Sequence, residues 1–292
     1  MNETQKRLAL YGATALVLGG IGVAAVVVET EADAVTLLSG VDVQLRLAYG
    51  IPAADKQGKP LPAREAMIDE AIQTLAVVER SSPGMAVASE FRGFAHMLRG
   101  EYGAAAECYA RARGCSDCGD EQRDVLAFNQ ARMLRQAGDG DAALAVFAQH
   151  AAALDSRFGA QRRLEEAATL RELGRPEQAL GKLDEVLADS ATEPMARLQA
   201  GAELAELGRT ERAEQVLTAV APVSPVANYY LARLKLRAGN PDTAIEFLER
   251  ALAAAPADTR RMIREESEAW QELSTNERFT GLTSSVPASP GR

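Results

Sequence analysis

Apolar and polar positions along the body of the chain follow a helical spacing that is counted from a series of glycines. Alanine comes five residues after each glycine, and a large apolar residue comes four residues after that alanine. The glycines are Gly100, Gly138, Gly174, Gly208 and Gly239. Residues four apart lie on one face of a helix, and glycine readily adopts the positive φ that ends a helix. The pattern therefore predicts five pairs of antiparallel helices, each joined at a glycine.

Small and large residues predict how the two helices of each pair pack. A further small residue precedes each glycine by seven positions, and small residues let two helices approach closely. The small residues before the glycines are Gly93, Ala131, Ala167, Gly201 and Ala232; the alanines after them are Ala105, Ala143, Ala179, Ala213 and Ala244; the large residues are Tyr109, Phe147, Leu183, Leu217 and Leu248. Successive glycines lie 38, 36, 34 and 31 residues apart. We expect lengthened loops between some pairs.

Weaker patterns lie on both sides of the five pairs, which occupy residues 84–256. We assign residues 29–83 to a connector and a degenerate first helix pair, in which a helix over 31–48 precedes a long loop. After the pairs, residues 257–280 predict a capping helix, because the end of a helical array must be covered. The apolar residues available for this cover are Trp270, Leu273 and Phe279. For residues 281–292 we predict a disordered tail.

The N-terminal region contains a long uncharged apolar run. Residues 8–28 carry no charge, and as a helix they would measure about 31 Å, enough to cross a bilayer core. Lys6 and Arg7 precede the run, whereas Glu29 follows it. We therefore predict a transmembrane helix over 8–28 that anchors the chain in the lipid bilayer of the inner membrane, with residues 1–7 cytoplasmic and the repeats periplasmic. A cleaved signal peptide is the alternative, and the length of the run favours the anchor.

The order of small residue, glycine, alanine and large apolar residue resembles the tetratricopeptide repeat over residues 84–256. Ala112 and Ala251 match the last small position of that repeat, and Pro256 matches its terminal proline. His150 and Val186 depart from the pattern at that last small position. The resemblance implies an all-α, right-handed solenoid of antiparallel helix pairs, here preceded by one transmembrane helix.

The resemblance also implies a concave face that binds a protein or peptide partner. Residues at the matching first-helix positions are Phe94, Met97, Phe128, Arg132, Arg135, Arg171, Tyr229, Arg233 and Arg237. Basic side chains outnumber acidic ones in this set, although the chain carries a net charge of −9. Arginine suits carboxylates and protein interfaces, so an acidic partner segment is one interpretation of this set. An ordinary solvated helix surface is the alternative.

Composition argues against several other classes of function. Apolar residues make up 47% of the chain and aromatic residues only 5%, which favours helix over sheet. The negative net charge argues against a nucleic-acid partner, because phosphate binding needs a basic face. The chain has two histidines and no phosphate-binding or nucleophile-elbow motif. We therefore predict no catalytic residue, metal or cofactor.

The spacing Cys115-Ser-Asp-Cys118 is one that proteins use for metals, redox chemistry and disulfides. Zinc would need four ligands, and a mixture of Cys108 on a helix with two loop cysteines makes poor geometry. A thioredoxin-like motif belongs at a helix start after a strand, a context that is not predicted here. Outside the cytoplasm close thiols tend to oxidise, so we predict a local Cys115–Cys118 disulfide. Free thiols are the alternative.

An anchor followed by repeats is similar in layout to bacterial adaptors of envelope assembly and translocation. The sequence therefore predicts a non-catalytic, membrane-anchored scaffold that binds proteins or peptides near the inner membrane. The alternative function is a thiol redox or metal-binding protein that uses Cys115 and Cys118.

Overall fold

The structure is a computed structural model and describes residues 31–55 and 58–284. Within these ranges the chain forms α-helices, one 3₁₀ helix and a single isolated β-bridge between Ala54 and Pro60. The α-helices are α1 (Glu31–Gly50), α2 (Pro62–Ser81), α3 (Ala86–Leu98), α4 (Tyr102–Arg113), α5 (Asp120–Gln136), α6 (Gly140–Gln149), α7 (Ala151–Glu172), α8 (Pro176–Ala188), α9 (Pro194–Glu206), α10 (Thr210–Val220), α11 (Val226–Arg237), α12 (Pro241–Ala254), α13 (Pro256–Glu265) and α14 (Glu277–Ser284). The 3₁₀ helix is Ser267–Leu273. The all-α prediction is confirmed for these residues.

The predicted transmembrane helix over 8–28 lies outside the residues that the structure describes. Among the described helices, none is both long enough and apolar enough to cross a bilayer. The membrane anchor and the right-handed sense of the array stay predictions.

The chain divides into two compact units, Met1–Cys118 and Gly119–Arg292. In the first unit α1 packs on α2, α2 on α3, and α3 on α4. The degenerate first pair is therefore present, and its first helix covers the predicted 31–48. The second unit contains helices α5 to α14. Within it α5 contacts α7, α7 contacts α9, and α9 contacts α11.

All five turn glycines have the predicted positive φ, between 69° and 86°. At each turn the amide of the residue after the glycine donates to a carbonyl five residues earlier, as Arg209 N does to Leu204 O at 2.8 Å. This bond is the mark of the Schellman motif, which satisfies helix-end carbonyls and requires a left-handed residue. The same local chemistry therefore ends the first helix of every pair.

The small and large positions interlock as the repeat pattern predicts. A Cβ atom on Gly93 would lie 2.8 Å from Tyr109 Cε1, and one on Gly201 would lie 2.8 Å from Leu217 Cδ2. These distances are too short for any side chain, so the large residue packs directly on the glycine backbone. The alanines that follow the five turn glycines are all fully buried.

We expect Ala213→Leu to lower the free energy of unfolding by about 1–3 kcal/mol, because the added atoms overpack a filled interface. Ala213 is fully buried on α10, against the core that it shares with Leu183 and Leu204. Gln178 is exposed on α8, so Gln178→Leu is the matched control and should change stability by less than about 0.5 kcal/mol. Urea unfolding followed by circular dichroism measures both. Equal losses for the two variants would contradict the repeat register.

The longer repeat spacings have two different structural causes. Between Gly100 and Gly138 the extra residues form the predicted loop, which runs from the end of α4 to the start of α5. Between Gly138 and Gly174 the prediction of a loop is wrong. There α7 begins directly after His150 and continues through a kink at Phe158, where φ is −128° and ψ is 23°. Helix is retained because Leu154 is fully buried and Phe158 stacks on Phe128, with ring centroids 4.8 Å apart.

The C-terminal closing segment, residues 256–284, differs from the single capping helix predicted over 257–280. It comprises α13, the 3₁₀ helix and α14. Residues 281–284, predicted to belong to the tail, are helical. Asn276 caps this last helix, since its side chain accepts hydrogen bonds from the amides of Arg278 and Phe279. The three apolar residues that we expected to cover the array, Trp270, Leu273 and Phe279, are all buried.

Candidate functional site

A groove of about 830 Å³ runs across the second unit. It is lined by the first helices of successive repeats, α5, α7, α9 and α11, and by α13 of the closing segment. The lining residues are Phe128, Arg132, Arg135, Gln161, Leu164, Glu165, Ala168, Met195, Leu198, Gln199, Ala202, Glu203, Val226, Tyr230, Asp258, Arg261, Met262, Glu265 and Glu266. Side chains from positions more than 130 residues apart in the sequence therefore lie on one surface of this unit.

Apolar side chains form the floor of the groove. Leu164 and Leu198 are buried at its base, and Phe128 is half-buried at the α5 end. Met195 is 55% exposed. A concave surface that combines apolar side chains with a few polar and charged ones is typical of binding sites.

A ladder of ion pairs connects neighbouring first helices along the groove. Arg132 and Arg135 of α5 bind the two carboxylate oxygens of Glu165 on α7, at 3.0 and 3.1 Å. The next step joins Arg171 to Glu203 on α9, at 2.8 Å. Each pair reaches from one repeat to the next, so the ladder fixes the spacing of the helices that line the groove.

The ladder continues from α9 to α11. Glu206 accepts from Arg233 and Arg237 of α11, at 3.3 and 3.0 Å. Arg233 also binds Glu266, just past α13, at 2.8 Å. The arginines of the predicted set are therefore engaged with carboxylates of this chain.

The expectation of a basic groove is wrong. Three arginines line the groove, against five carboxylates: the arginines are Arg132, Arg135 and Arg261, and the carboxylates are Glu165, Glu203, Asp258, Glu265 and Glu266. The positions implied by the repeat resemblance do not include Glu165 or Glu203, nor do they include the acidic residues of the closing segment.

Eight of the nine predicted concave-face residues fall into three groups. Phe128, Arg132 and Arg135 line the groove, and Arg171, Arg233 and Arg237 belong to the ion-pair ladder. Phe94 and Met97 lie in the first unit, where both are half-buried. The ring of Phe94 lies 6.1 Å from that of Tyr49. The ninth residue, Tyr229, has a different environment.

The placement of Tyr229 on an accessible face is wrong, because its side chain is completely buried. Its hydroxyl donates to Glu266 at 2.9 Å and accepts from Trp270 Nε1 at 3.3 Å. Burial raises the pKa of Tyr229 well above its ordinary value, so the phenol stays protonated. Like Tyr229, the residues Phe128, Leu164 and Leu198 lie ten positions before their turn glycines, and these three do line the groove. In the last repeat the closing segment covers that position.

The neighbouring residue Tyr230 lines the groove and was missed by the sequence analysis. It lies nine residues before Gly239, and Glu165 lies nine residues before Gly174. Both residues line the groove, so this shared offset was the signal that could have found them. Burial raises the pKa of Tyr230, which keeps its hydroxyl as a hydrogen-bond donor.

All three cysteines are buried free thiols in the structure. Cys108 lies on α4, as expected, and Cys115 and Cys118 lie in the loop that follows α4. Cys115 Sγ donates to the carbonyl of Arg111 at 3.4 Å. The Cys115–Cys118 disulfide is not formed here and stays a prediction for oxidised protein. Burial raises the pKa of Cys108 and of Cys115.

No group of three or more histidine, cysteine, aspartate or glutamate side chains within residues 31–55 and 58–284 could hold a metal ion. His96 contacts a single carboxylate, that of Glu101, with its Nδ1 2.6 Å away. The chemistry that the described residues assemble is therefore that of ion pairs and apolar contacts.

Comparison with protein-family models gives two matches. Tetratricopeptide repeat models match residues 204–262 and residues 125–149. Residues 125–149 and 204–262 therefore carry the tetratricopeptide repeat pattern. Both matched segments lie in the second unit, and together they include residues of α5, α11 and α13 that line the groove. A search of curated proteins finds no match.

Solved structures of similar fold include pilF of Pseudomonas aeruginosa, at 15% identity over 82% of this chain and 98% of that one, with a TM-score of 0.48. Another is NprR in complex with its cognate peptide NprX, at 12% identity over 96% and 83% of the two chains, with a TM-score of 0.48. A third is YrrB, described as a TPR protein with an unusual peptide-binding site. It is 15% identical over 78% of this chain and 89% of that one, with a TM-score of 0.36.

Proposed function

We propose that the chain is a non-catalytic scaffold whose second unit binds a peptide, or an extended segment of a partner protein, in the groove. The observation that carries this proposal is the groove itself, in which the exposed Met195 and the half-buried Phe128 and Tyr230 lie beside charged side chains. A long, open surface suits an extended ligand, because many small contacts spread over several repeats can act together.

The ion-pair ladder supports this proposal. Arg135 is held by both Glu165 and Glu172, and Arg171 is held by Glu203. Side chains that are already fixed lose little conformational entropy when a ligand binds, so a preorganised surface binds more tightly. The ladder therefore presents the groove as a preorganised surface.

The thiol alternative is less favoured. A reactive cysteine needs a lowered pKa, since the thiolate is the nucleophile and the metal ligand. Burial instead raises the pKa of Cys115, one of the two cysteines that this alternative uses, and also that of Cys108.

We also propose that residues 8–28 anchor this scaffold in the inner membrane, with the repeats on the periplasmic side. The uncharged run and the preceding Lys6 and Arg7 support this topology. A reporter that is active only outside the cytoplasm, fused after Arg292, should be active. Activity of a cytoplasmic reporter at the same position would reject this topology.

Site-specific photo-crosslinking in intact cells tests the binding function. A photo-reactive amino acid is placed in the full chain at Tyr230 or Met195, both in the groove, or at Val223 as a control. Val223 is 67% exposed and does not line the groove. We expect a discrete crosslinked product from the two groove positions and none from Val223. Absence of a product at both groove positions, or the same product at all three, would reject the groove as the binding site.

A further inference from the structure

We infer that the groove selects a peptide segment that combines apolar side chains with lysine or arginine, and that its basic residues lie over α13. This inference rests on the proposed binding function and names the chemistry of the ligand. It reverses the acidic partner that the arginines alone suggested.

Among the residues that line the α13 end of the groove, carboxylates outnumber arginines, whereas Arg260 and Arg264 of α13 lie outside the lining. Asp258 and Glu265 are 65% and 59% exposed, and Arg261 lies between them, at 3.2 Å and 3.8 Å from their carboxylates. Glu266 adds a third carboxylate at this end. Arg261 can neutralise one of the three charges, and Arg233 engages Glu266 from the side. Exposed carboxylate oxygens therefore remain available to a cationic ligand.

The α5 end offers no corresponding positive excess. Its two groove arginines, Arg132 and Arg135, face Glu165 inside the groove and Glu172 beside it, with separations of 2.7 to 3.1 Å. Two positive charges are thus matched by two negative ones. An acidic ligand would have to displace these bonds, whereas a cationic ligand at α13 meets carboxylates that are more than half exposed.

Apolar side chains lie next to the acidic end of the groove. Met262 of α13, Val226 and Tyr230 of α11, and Met195 of α9 all line it, and each is at least partly accessible. A ligand that places a basic residue at Asp258 and Glu265 would therefore place its adjacent residues over this apolar surface. Charge complementarity mainly sets the association rate and the specificity, and the apolar contacts supply the affinity.

The test uses three synthetic peptides with the same apolar core of leucine and alanine and with flanking residues that are all lysine, all glutamine or all glutamate. Each carries a fluorescent label, and binding to the purified full-length chain is measured by fluorescence anisotropy. We expect the lysine peptide to bind about tenfold more tightly than the glutamine peptide at low salt, and the glutamate peptide to bind most weakly. The advantage of the lysine peptide should shrink in high salt, since these charges are exposed.

Paired variants locate the effect. Asp258→Asn combined with Glu265→Gln should bring the affinity of the lysine peptide close to that of the glutamine peptide and leave the glutamine peptide unchanged. The matched control combines Glu268→Gln with Glu272→Gln, which removes two exposed carboxylates from the same closing segment outside the groove lining. The control should bind the lysine peptide as the parent chain does. Thermal unfolding confirms that both variants are folded.

The possible results distinguish a failure of the basic-ligand inference from a failure of the proposed binding function. Equal binding of all three peptides, or tighter binding of the glutamate peptide, would overturn the basic ligand while leaving the groove as a binding site. A loss of binding as large in the control variant as in the groove variant would overturn the α13 location. No binding by any of the three peptides, together with no crosslinked product from the groove positions, would reject both proposals.

Discussion

Replacing Trp270 by alanine should lower the free energy of unfolding by about 3–5 kcal/mol, the range for losing a buried tryptophan. Trp270 is buried, with its ring centroid 5.4 Å from that of Tyr229 and 6.1 Å from that of Phe279. Its indole nitrogen also donates to the Tyr229 hydroxyl. The substitution would leave a cavity between the last repeat and the closing segment, and would remove a hydrogen bond from a buried hydroxyl.

The effect of this substitution should be local, because each repeat contacts mainly its neighbours. Hydrogen exchange should lose protection over residues 226–284 far more than over residues 120–149. Val223→Ala is the control, since this apolar side chain is 67% exposed, and it should cost less than about 0.5 kcal/mol. A uniform loss of protection across the second unit would contradict the role of Trp270 as a local cover.

The second large effect is expected at a buried ion pair on α7. Arg162 and Glu166 are each 5% exposed, and Arg162 Nη1 lies 2.5 Å from Glu166 Oε1. Arg162 also donates to Asp155 at 2.7 Å. Arg162→Met should therefore cost about 3–5 kcal/mol, because it leaves a buried carboxylate with only Lys182, at 3.1 Å, to balance its charge.

A double substitution distinguishes the stability cost of the unpaired charge from the cost of altered packing. Arg162→Met combined with Glu166→Leu removes both charges, and we expect it to recover most of the stability, since a buried ion pair can often be replaced by apolar residues. Arg163→Met is the control, because Arg163 and its partners Glu185 and Asp155 are more exposed, and it should cost less than about 1 kcal/mol. Urea unfolding of all four proteins measures these values. A double variant no more stable than Arg162→Met would show that packing, and not the unpaired charge, causes the deficit.

The ion-pair ladder explains why the arginine-rich first helices do not make a basic surface. Arg135, Arg171 and Arg233 each reach a glutamate on the neighbouring first helix or closing segment. Partly exposed pairs of this kind contribute little stability individually. Their larger consequence is electrostatic. Because these pairs cancel the positive charge of the arginines, Asp258 and Glu265 set the net charge of the groove.

The sequence by itself determined the helix pairs and their internal register. The reason is local: a glycine that must take positive φ ends each first helix, and the residues that must touch lie within about 20 positions of one another. Gly201 and Leu217, and Gly93 and Tyr109, meet as their spacing requires. The burial of Trp270 also followed from the sequence, because an apolar residue after the last repeat has only the end of the array to cover.

Only the tertiary structure decided which polar side chains share the groove. Glu165 meets Arg135 across 30 residues and Glu203 meets Arg171 across 32, and such pairing depends on how one repeat is rotated against the next. Tyr229 and Tyr230 differ by one position, which turns a side chain by about 100° around the helix axis. That rotation, together with the closing segment, places Tyr229 in the core and Tyr230 in the groove. The acidic α13 end lies outside the repeat pattern, so no repeat offset could predict it.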